Sequence, residues 1–441
     1  MKIKTRPFLF SLLLFALIMQ VVLQDTIGFF QYFDEATTVV CILYLILDAF
    51  QHTKDKKNRV INLILISCLV FIGLIGNATA GIQRNFAGIL MDIGNMFKAY
   101  VAYLAFNAYF EKPARLKTNY YTIRYLNTYC CVLVVPGAAL AVVNLFRDIG
   151  MHTDYIYGLR AFHYIFLRVG NLYTACISCL IVMTLCLIQL HGRQRQRQLL
   201  FIGCTLLLMI STLRSRAILF GIVYVIGYLY FVAGKRLRIK MRYIIAVIIL
   251  GLYIGMPKIQ YYFYTSNAAR SVLLRNGIET AQTYFPIGAG FASYGTHAAR
   301  MYWSPLYNTY SFNSYFGLSQ EMGDFLTDGY WPAILGEFGI LGTILVLILI
   351  IRIIIQVLKE SRSSSIQRFA AVYGMAFMTA SSLVTCSFFA VTAVSTMALI
   401  AIAVKYKPLQ EMAPDTFQNT VNERGKNQNG VRENYSFHTN V

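Results

Sequence analysis

The chain has 441 residues, of which 57% are hydrophobic and only 13% are charged. A soluble protein of this length cannot stay dissolved with so little charge, so the composition excludes a water-soluble globular enzyme and points to lipid as the natural solvent. The formal charge of +20 would suit a nucleic-acid partner, but Lys and Arg collect in short stripes between apolar runs without interleaved aromatics, which excludes that reading.

The first apolar run, 7–24, follows Lys2, Lys4 and Arg6. It has no small-residue cleavage site and is expected to stay as a start-transfer helix. Further runs of near-membrane length follow at 36–50, 60–76, 85–110, 125–146, 171–190, 199–213, 215–233, 243–257, 331–357, 369–387 and 389–404, giving an all-α polytopic transmembrane bundle of about twelve spans. The basic stripes at Lys54–Arg59, Lys112–Lys117, Arg193–Arg197, Lys235–Arg242, Lys359–Arg368 and after Lys405 fall in every second loop. By the positive-inside rule these loops and both termini face the cytoplasm.

Between spans, Asp25–Glu35 is short and acidic, and Arg147–Gly170 has a spacing that predicts an amphipathic helix on the outer surface. The largest outer segment, 258–330, mixes Gly, Pro, Tyr and charge. It is expected to carry short helices and the functional site, because long ordered loops are seldom mere connections. The organisation is thus helices over 1–257, an extracytoplasmic loop over 258–330, helices over 331–404 and a polar, disordered cytoplasmic tail over 405–441. All nine cysteines lie in apolar runs and read as small hydrophobes, the Cys176/Cys179 pair included.

Arginine on the outer side works against insertion preference, and a charge at membrane depth costs roughly 2.5–3.5 kcal/mol on insertion scales. Arg214 and Arg216 sit in the tight connection Ser211–Phe220, and the outer loop adds Arg270, Arg275 and Arg300. A guanidinium presents a planar fork of donors that fits phosphate oxygens in pairs, so these residues are candidates for holding a lipid-linked diphosphate, with snorkelling to headgroups as the alternative. Asp328 lies just before the helix begun near Pro332 and is either an N-cap or a proton-transfer group. Glu337 enters the following apolar run, where an ion pair with arginine is the competing role. Asp92 and Lys98 interrupt the fourth span, either pairing between helices or marking a conducting path. Gly288–Ala289–Gly290 reads as a turn, Asn77–Ala78–Thr79 matches a glycosylation acceptor, and His297 reads as incidental.

Taken in order, Ser215-Arg216-Ala217, Ala269-Arg270, Pro286–Phe291, Tyr302–Tyr310, Asp328–Pro332 and Gly339–Gly342 resemble the bacterial O-antigen polymerase and ligase superfamily. Ligase members usually place a His-Asn pair where this chain has Asp328-Gly329, so the resemblance leans to the polymerase branch that makes capsule or exopolysaccharide. It implies a metal-independent, cofactor-free, inverting glycosyltransferase of the bacterial plasma membrane. The donor and acceptor would be undecaprenyl-diphosphate-linked glycans, with a flippase and a chain-length regulator as further partners. Carried onto this chain, Arg216 and Arg270, with Arg214 and Arg275, would hold the donor diphosphate, and Arg300 and Glu337 are further substrate-binding candidates. Asp328 would orient or deprotonate the acceptor hydroxyl, and Tyr302, Trp303, Tyr307, Tyr310, Tyr330 and Trp331 would stack on sugars or anchor at the interface. A ligase that moves finished glycan to lipid A or a wall acceptor, and a flippase for the same lipid-linked sugar, are the alternatives.

Overall fold

A computed structural model describes residues 4–49, 56–156, 158–166, 169–233, 260, 267–323, 325–362 and 364–407. The helices are α1 (Thr5–Ile18), α2 (Gln20–Thr26), α3 (Phe33–Ala49), α4 (Lys56–Ala80), α5 (Phe86–Glu111), α6 (Pro113–Phe146), α7 (Val169–Cys186), α8 (Gly192–Ile210) and α9 (Ser215–Tyr228). After them come α10 (Ala269–Thr283), the short α11 (His297–Met301) and α12 (Pro305–Thr309), then α13 (Tyr330–Glu360), α14 (Ser365–Ser382) and α15 (Ala393–Val404).

Seven of these helical segments are long and apolar enough to cross a membrane, or up to eight if α1 and α2, bent by 78° at Met19, count as one span. This falls short of the twelve that hydropathy suggests, for local reasons. Arg193, Arg195 and Arg197 occupy the first turns of α8, α15 is only 12 residues long, and the run 243–257 lies outside the described residues. The stripe Lys235–Arg242 and the tail from 408 onward lie outside them as well.

The centre of the bundle is α7 and α15, nearly every residue of which is buried. Small side chains let them approach their neighbours: Ala99, Ala102, Ala105 and Ala108 on α5, and Ala398 and Ala401 on α15, are all buried, as suits helices that gain little from apolar burial in lipid. Around this core α3 and α4 turn Val39, Val40, Leu43, Leu47, Ile64 and Phe71 outward, an apolar exterior suited to acyl chains.

The two ends of the bundle differ in chemistry. At one end, Arg59 at the start of α4 bridges Asp48 of α3 (3.2 Å) and Glu111 of α5 (2.6 Å), and Lys112 also reaches Asp48 (3.1 Å). Lys405 pairs with Glu360 at 2.9 Å, and Gln189 donates to Tyr406 at 2.8 Å. The described residues of the basic stripes at 56–59, 112–117, 193–197, 359–368 and 405 therefore gather at a single end, as their alternation predicts.

At the opposite end lie the α8–α9 turn, a small hairpin and residues 267–329. The amphipathic helix predicted within Arg147–Gly170 is instead an antiparallel hairpin, His152–Ile156 with Leu159–Phe162. Gly158 at φ 75° and flanking residues rich in aromatic and aliphatic side chains favour a tight turn over helix continuation. Phe162 extends the pairing by donating its amide to the Ser211 carbonyl at 3.0 Å.

Residues 267–329 form a second apolar cluster built on Val272, Leu273, Tyr294, Leu306, Tyr307 and Phe312. Their middle stretch, 286–296, passes into the bundle through a break in α13. Gly339 there takes φ 60° and ψ −161°, and the backbone groups released are claimed by the entering chain. Ala289 donates to the Gly336 carbonyl (2.9 Å), Gly290 to the Glu337 carbonyl (2.9 Å), and Leu341, which in an unbroken helix would donate to Glu337, donates to Pro286 (3.1 Å). Irregular backbone inside a membrane protein requires this kind of replacement.

Candidate functional site

The inserted stretch is held by side chains that the helices supply. Asn77 of α4 grips the Phe291 backbone with both ends of its amide, accepting from the nitrogen at 2.8 Å and donating to the carbonyl at 2.9 Å. Asp92 of α5 accepts from the Ala292 nitrogen at 2.6 Å. One oxygen of Glu337 accepts from Ser293 (3.0 Å), Tyr294 (3.1 Å) and the Thr296 hydroxyl (3.1 Å), and the Tyr307 hydroxyl accepts from Gly295 at 2.9 Å. Five consecutive buried amides, 291–295, thus find side-chain acceptors, which removes the desolvation cost that each would otherwise carry.

Above this stretch, toward the α8–α9 turn, opens a cavity of about 710 Å³ whose wall includes Glu35, Lys98, Arg216, His297, Asp328 and Thr385. It is bounded by α2, α3, α5, α7, α9, the start of α11, α14 and the 385–392 connection that leads to α15, so side chains remote in sequence share one enclosure. Arg216 stands in the first turn of α9, donates Nη1 to the Thr385 hydroxyl at 2.9 Å, and lies 5.8 Å from the Tyr173 ring centroid. Asp328, immediately before Gly329 and α13, accepts from Arg270 Nη2 at 2.9 Å. Arg270 stands in the first turn of α10, so the ion pair ties that helix to the mouth of the cavity.

A second ion pair is fully buried. Lys98 Nζ lies 2.7 Å from Asp34 Oδ2, with side-chain exposures of 2% and 0%. Asn95 also accepts from Lys98 (3.0 Å), and Gln20 donates to Asp34 (2.6 Å). Lys98 is thus the interhelical partner that its position in an apolar span suggested, and it contributes positive charge to the cavity wall. His297, at the start of α11, also faces the cavity. Partial desolvation, then the charges of Arg300 and Lys98, hold its pKa below the usual 6.5. The ring is therefore neutral near pH 7, which gives His297 a more definite chemical state than its isolated position in the sequence implied.

The remaining candidates lie elsewhere. Arg214 is exposed and pairs with Asp154 of the hairpin at 3.3 Å. Arg275 is exposed on α10, and Arg300 packs beside Gly323. Tyr307 and Tyr330 are interior residues rather than cavity-wall aromatics: Tyr307 receives the Gly295 amide, and the Tyr330 hydroxyl is 2.6 Å from that of Tyr100. Tyr310 bonds Thr280 at 2.9 Å beneath α10. Glu337 is fully buried against backbone amides, not against an arginine. Asn77 is equally occupied, so the Asn-Ala-Thr match does not present a glycan acceptor.

Sequence reasoning overlooked Glu35, Thr385 and the anchoring roles of Asn77 and Asp92. Polar residues within apolar spans were the available signal, but their partners lie about 200 positions away. Among the described residues no group of three or more His, Cys, Asp or Glu could hold a metal ion. The chain matches no protein-family model and no curated protein at a significant level of sequence similarity.

Proposed function

We propose that this protein is a membrane glycosyltransferase that polymerises undecaprenyl-diphosphate-linked oligosaccharide repeat units into a surface polysaccharide such as O-antigen, capsule or exopolysaccharide. The observation that carries the reading is the meeting of Arg216 with Asp328, itself bonded to Arg270, at one cavity in the end of the bundle away from the basic stripes. In the full topology of about twelve spans, both termini face the cytoplasm and the cavity opens on the outer side of the plasma membrane, where lipid-linked repeat units are displayed.

In this mechanism the donor diphosphate enters against Arg216, and Arg270 exchanges its bond with Asp328 for a shared contact to phosphate. The acceptor hydroxyl of a second lipid-linked unit attacks the donor anomeric carbon from the face opposite the phosphate, inverting that centre. The carbon–oxygen bond to phosphate breaks, its electron pair leaves with the lipid diphosphate, and the guanidinium charge stabilises the negative charge that develops. Asp328 orients the attacking hydroxyl. No metal or organic cofactor has a role in these steps. A flippase that delivers donor and a regulator of chain length are the partners such a reaction needs.

Purified protein given a synthetic lipid-linked repeat unit should produce a ladder of longer lipid-linked products without nucleotide or energy source. An intact donor with no ladder overturns the reading and favours a carrier. In cells lacking the protein, single repeat units should accumulate; accumulation of full-length lipid-linked chains would instead identify a ligase.

A further inference from the structure

The polymerisation reading leaves a proton without a destination. Asp328 is engaged by Arg270 at 2.9 Å, and Asp34 is engaged by Lys98 and Gln20, so two of the carboxylates around the cavity are already neutralised by cations. Glu35 is different. It lies in the first turn of α3 and lines the same cavity as Arg216 and Asp328. Its Oε2 is shielded from bulk water yet has no hydrogen-bond partner among the described residues. Such an oxygen in an interior wall is costly unless a ligand donates to it. The charged and titratable groups around it are Asp34, whose carboxyl interacts directly with that of Glu35, and Lys98 on its flank, Asp92 on α5, His297 on α11, Asp25 on α2, Tyr32 and Tyr173, and Arg216, Asp328 and Cys386 on the cavity wall.

Resting on the function proposed above, we infer that Glu35 is the general base of the reaction, accepting the proton of the acceptor sugar hydroxyl that Asp328 orients. As the hydroxyl oxygen bonds to the donor anomeric carbon, its proton passes to the Glu35 carboxylate while the phosphate oxygen departs with its electron pair. The carboxylic acid then returns the proton to water or to the departing diphosphate, and the site is reset with no change of oxidation state. The division of labour follows from the contacts. A carboxylate locked to a guanidinium is a weak base and a good positioner, whereas one with an open lone pair in a desolvated wall is a stronger base.

The test is single-turnover elongation of a synthetic lipid-linked repeat unit by the purified full-length protein, with donor affinity and thermal stability measured alongside. Glu35→Gln should slow elongation by about 100-fold or more, the usual worth of a general base, while donor affinity and melting temperature stay at wild-type values. The ascending limb of the pH–rate profile should disappear with it. Glu35→Asp should restore part of the rate with a displaced limb. Wild-type elongation and an unchanged pH profile in Glu35→Gln would overturn the inference and leave the polymerase reading standing. An unaltered profile in Glu35→Asp overturns it even if the Gln variant does not fold. Failure of the wild-type protein to elongate at all would strike the polymerase reading itself.

Discussion

Arg270 and Asp328, 58 positions apart in the chain, meet at 2.9 Å where α10 passes the start of α13, with side-chain exposures of 17% and 29%. An ion pair this open to water contributes little to stability, about 0–1 kcal/mol, so its removal should be felt in function before it is felt in folding. Arg270→Ala and Arg216→Ala should each lower the single-turnover elongation rate by about 100- to 1,000-fold, the range for losing one donor to developing charge. Expression and melting temperature should be retained. Lysine at either position should rescue only in part, because an ammonium cannot offer a fork. Full activity in an alanine variant would remove that arginine from the site.

The buried pair of Lys98 and Asp34 should behave in the opposite way. Breaking one partner leaves a charge stranded in the bundle, a loss of roughly 3–5 kcal/mol, so Lys98→Met and Asp34→Asn should each lower the melting temperature in detergent sharply. The double variant should recover most of that loss. Additive losses in the double variant would show that the two residues do not act as a pair.

The crossing of residues 286–290 through the break in α13 leaves no room for a side chain at Gly288 or Gly290. Gly288 has φ 75° and its backbone lies against Gly339 and Glu337; Gly290 has φ 85° against the backbone of Asn77. Alanine at either position combines a left-handed conformation with a backbone collision, so Gly288→Ala and Gly290→Ala should each destabilise by about 3 kcal/mol or more. Thermal unfolding in detergent measures this. Gly81, at φ 64° with open space around it, is the control and should lose only about 1 kcal/mol on change to alanine.

Asn77 offers a direct check on the same crossing. Asn77→Ala removes both bonds to Phe291 and leaves two buried backbone groups unsatisfied, a cost of roughly 1–3 kcal/mol for each. Hydrogen exchange at residues 289–295 should accelerate in this variant. Protection equal to wild type would mean that the amide clamp does not hold the stretch.

His297 sets a pH dependence of stability. Its folded pKa lies below the usual 6.5, so the unfolded chain binds the proton more readily. The contribution is fully present above pH 6.5 and is lost as pH falls through the lower folded value. Melting temperature should decline as pH falls from 6.5 toward that lower value in the wild type, and the decline should be shallower in His297→Gln. Equal slopes in the two proteins would remove His297 as the cause.

The helical bundle was legible because hydrophobic runs and alternating basic stripes are local signals: Arg59, Lys112 and Lys405 do gather at one end. Individual span lengths were less legible, since nothing in hydropathy marks the bend at Met19. Arg216 and Asp328 stood out as charges at the edge of apolar spans, and both line the cavity. Tyr307 and Glu337 were candidates as well, yet they serve the folding of residues 291–296, because a polar group in an apolar run looks alike whether it meets a ligand or a backbone amide. Only the position of the partner separates the two cases, and for Asn77 and Asp92 that partner comes from the far half of the chain.

Threading 286–296 through α13 also decides which wall of the cavity can yield. That stretch cannot withdraw without undoing backbone pairing in α13 and the grip of Asn77, Asp92 and Glu337 together, so the floor carrying His297 is rigid. The facing wall, Gln24 to Tyr32, is mostly exposed and follows the sharp bend of the first two helices. If the cavity serves the polymerisation proposed above, room for a growing polymer and passage for a spent lipid carrier are to be made on the amino-terminal side.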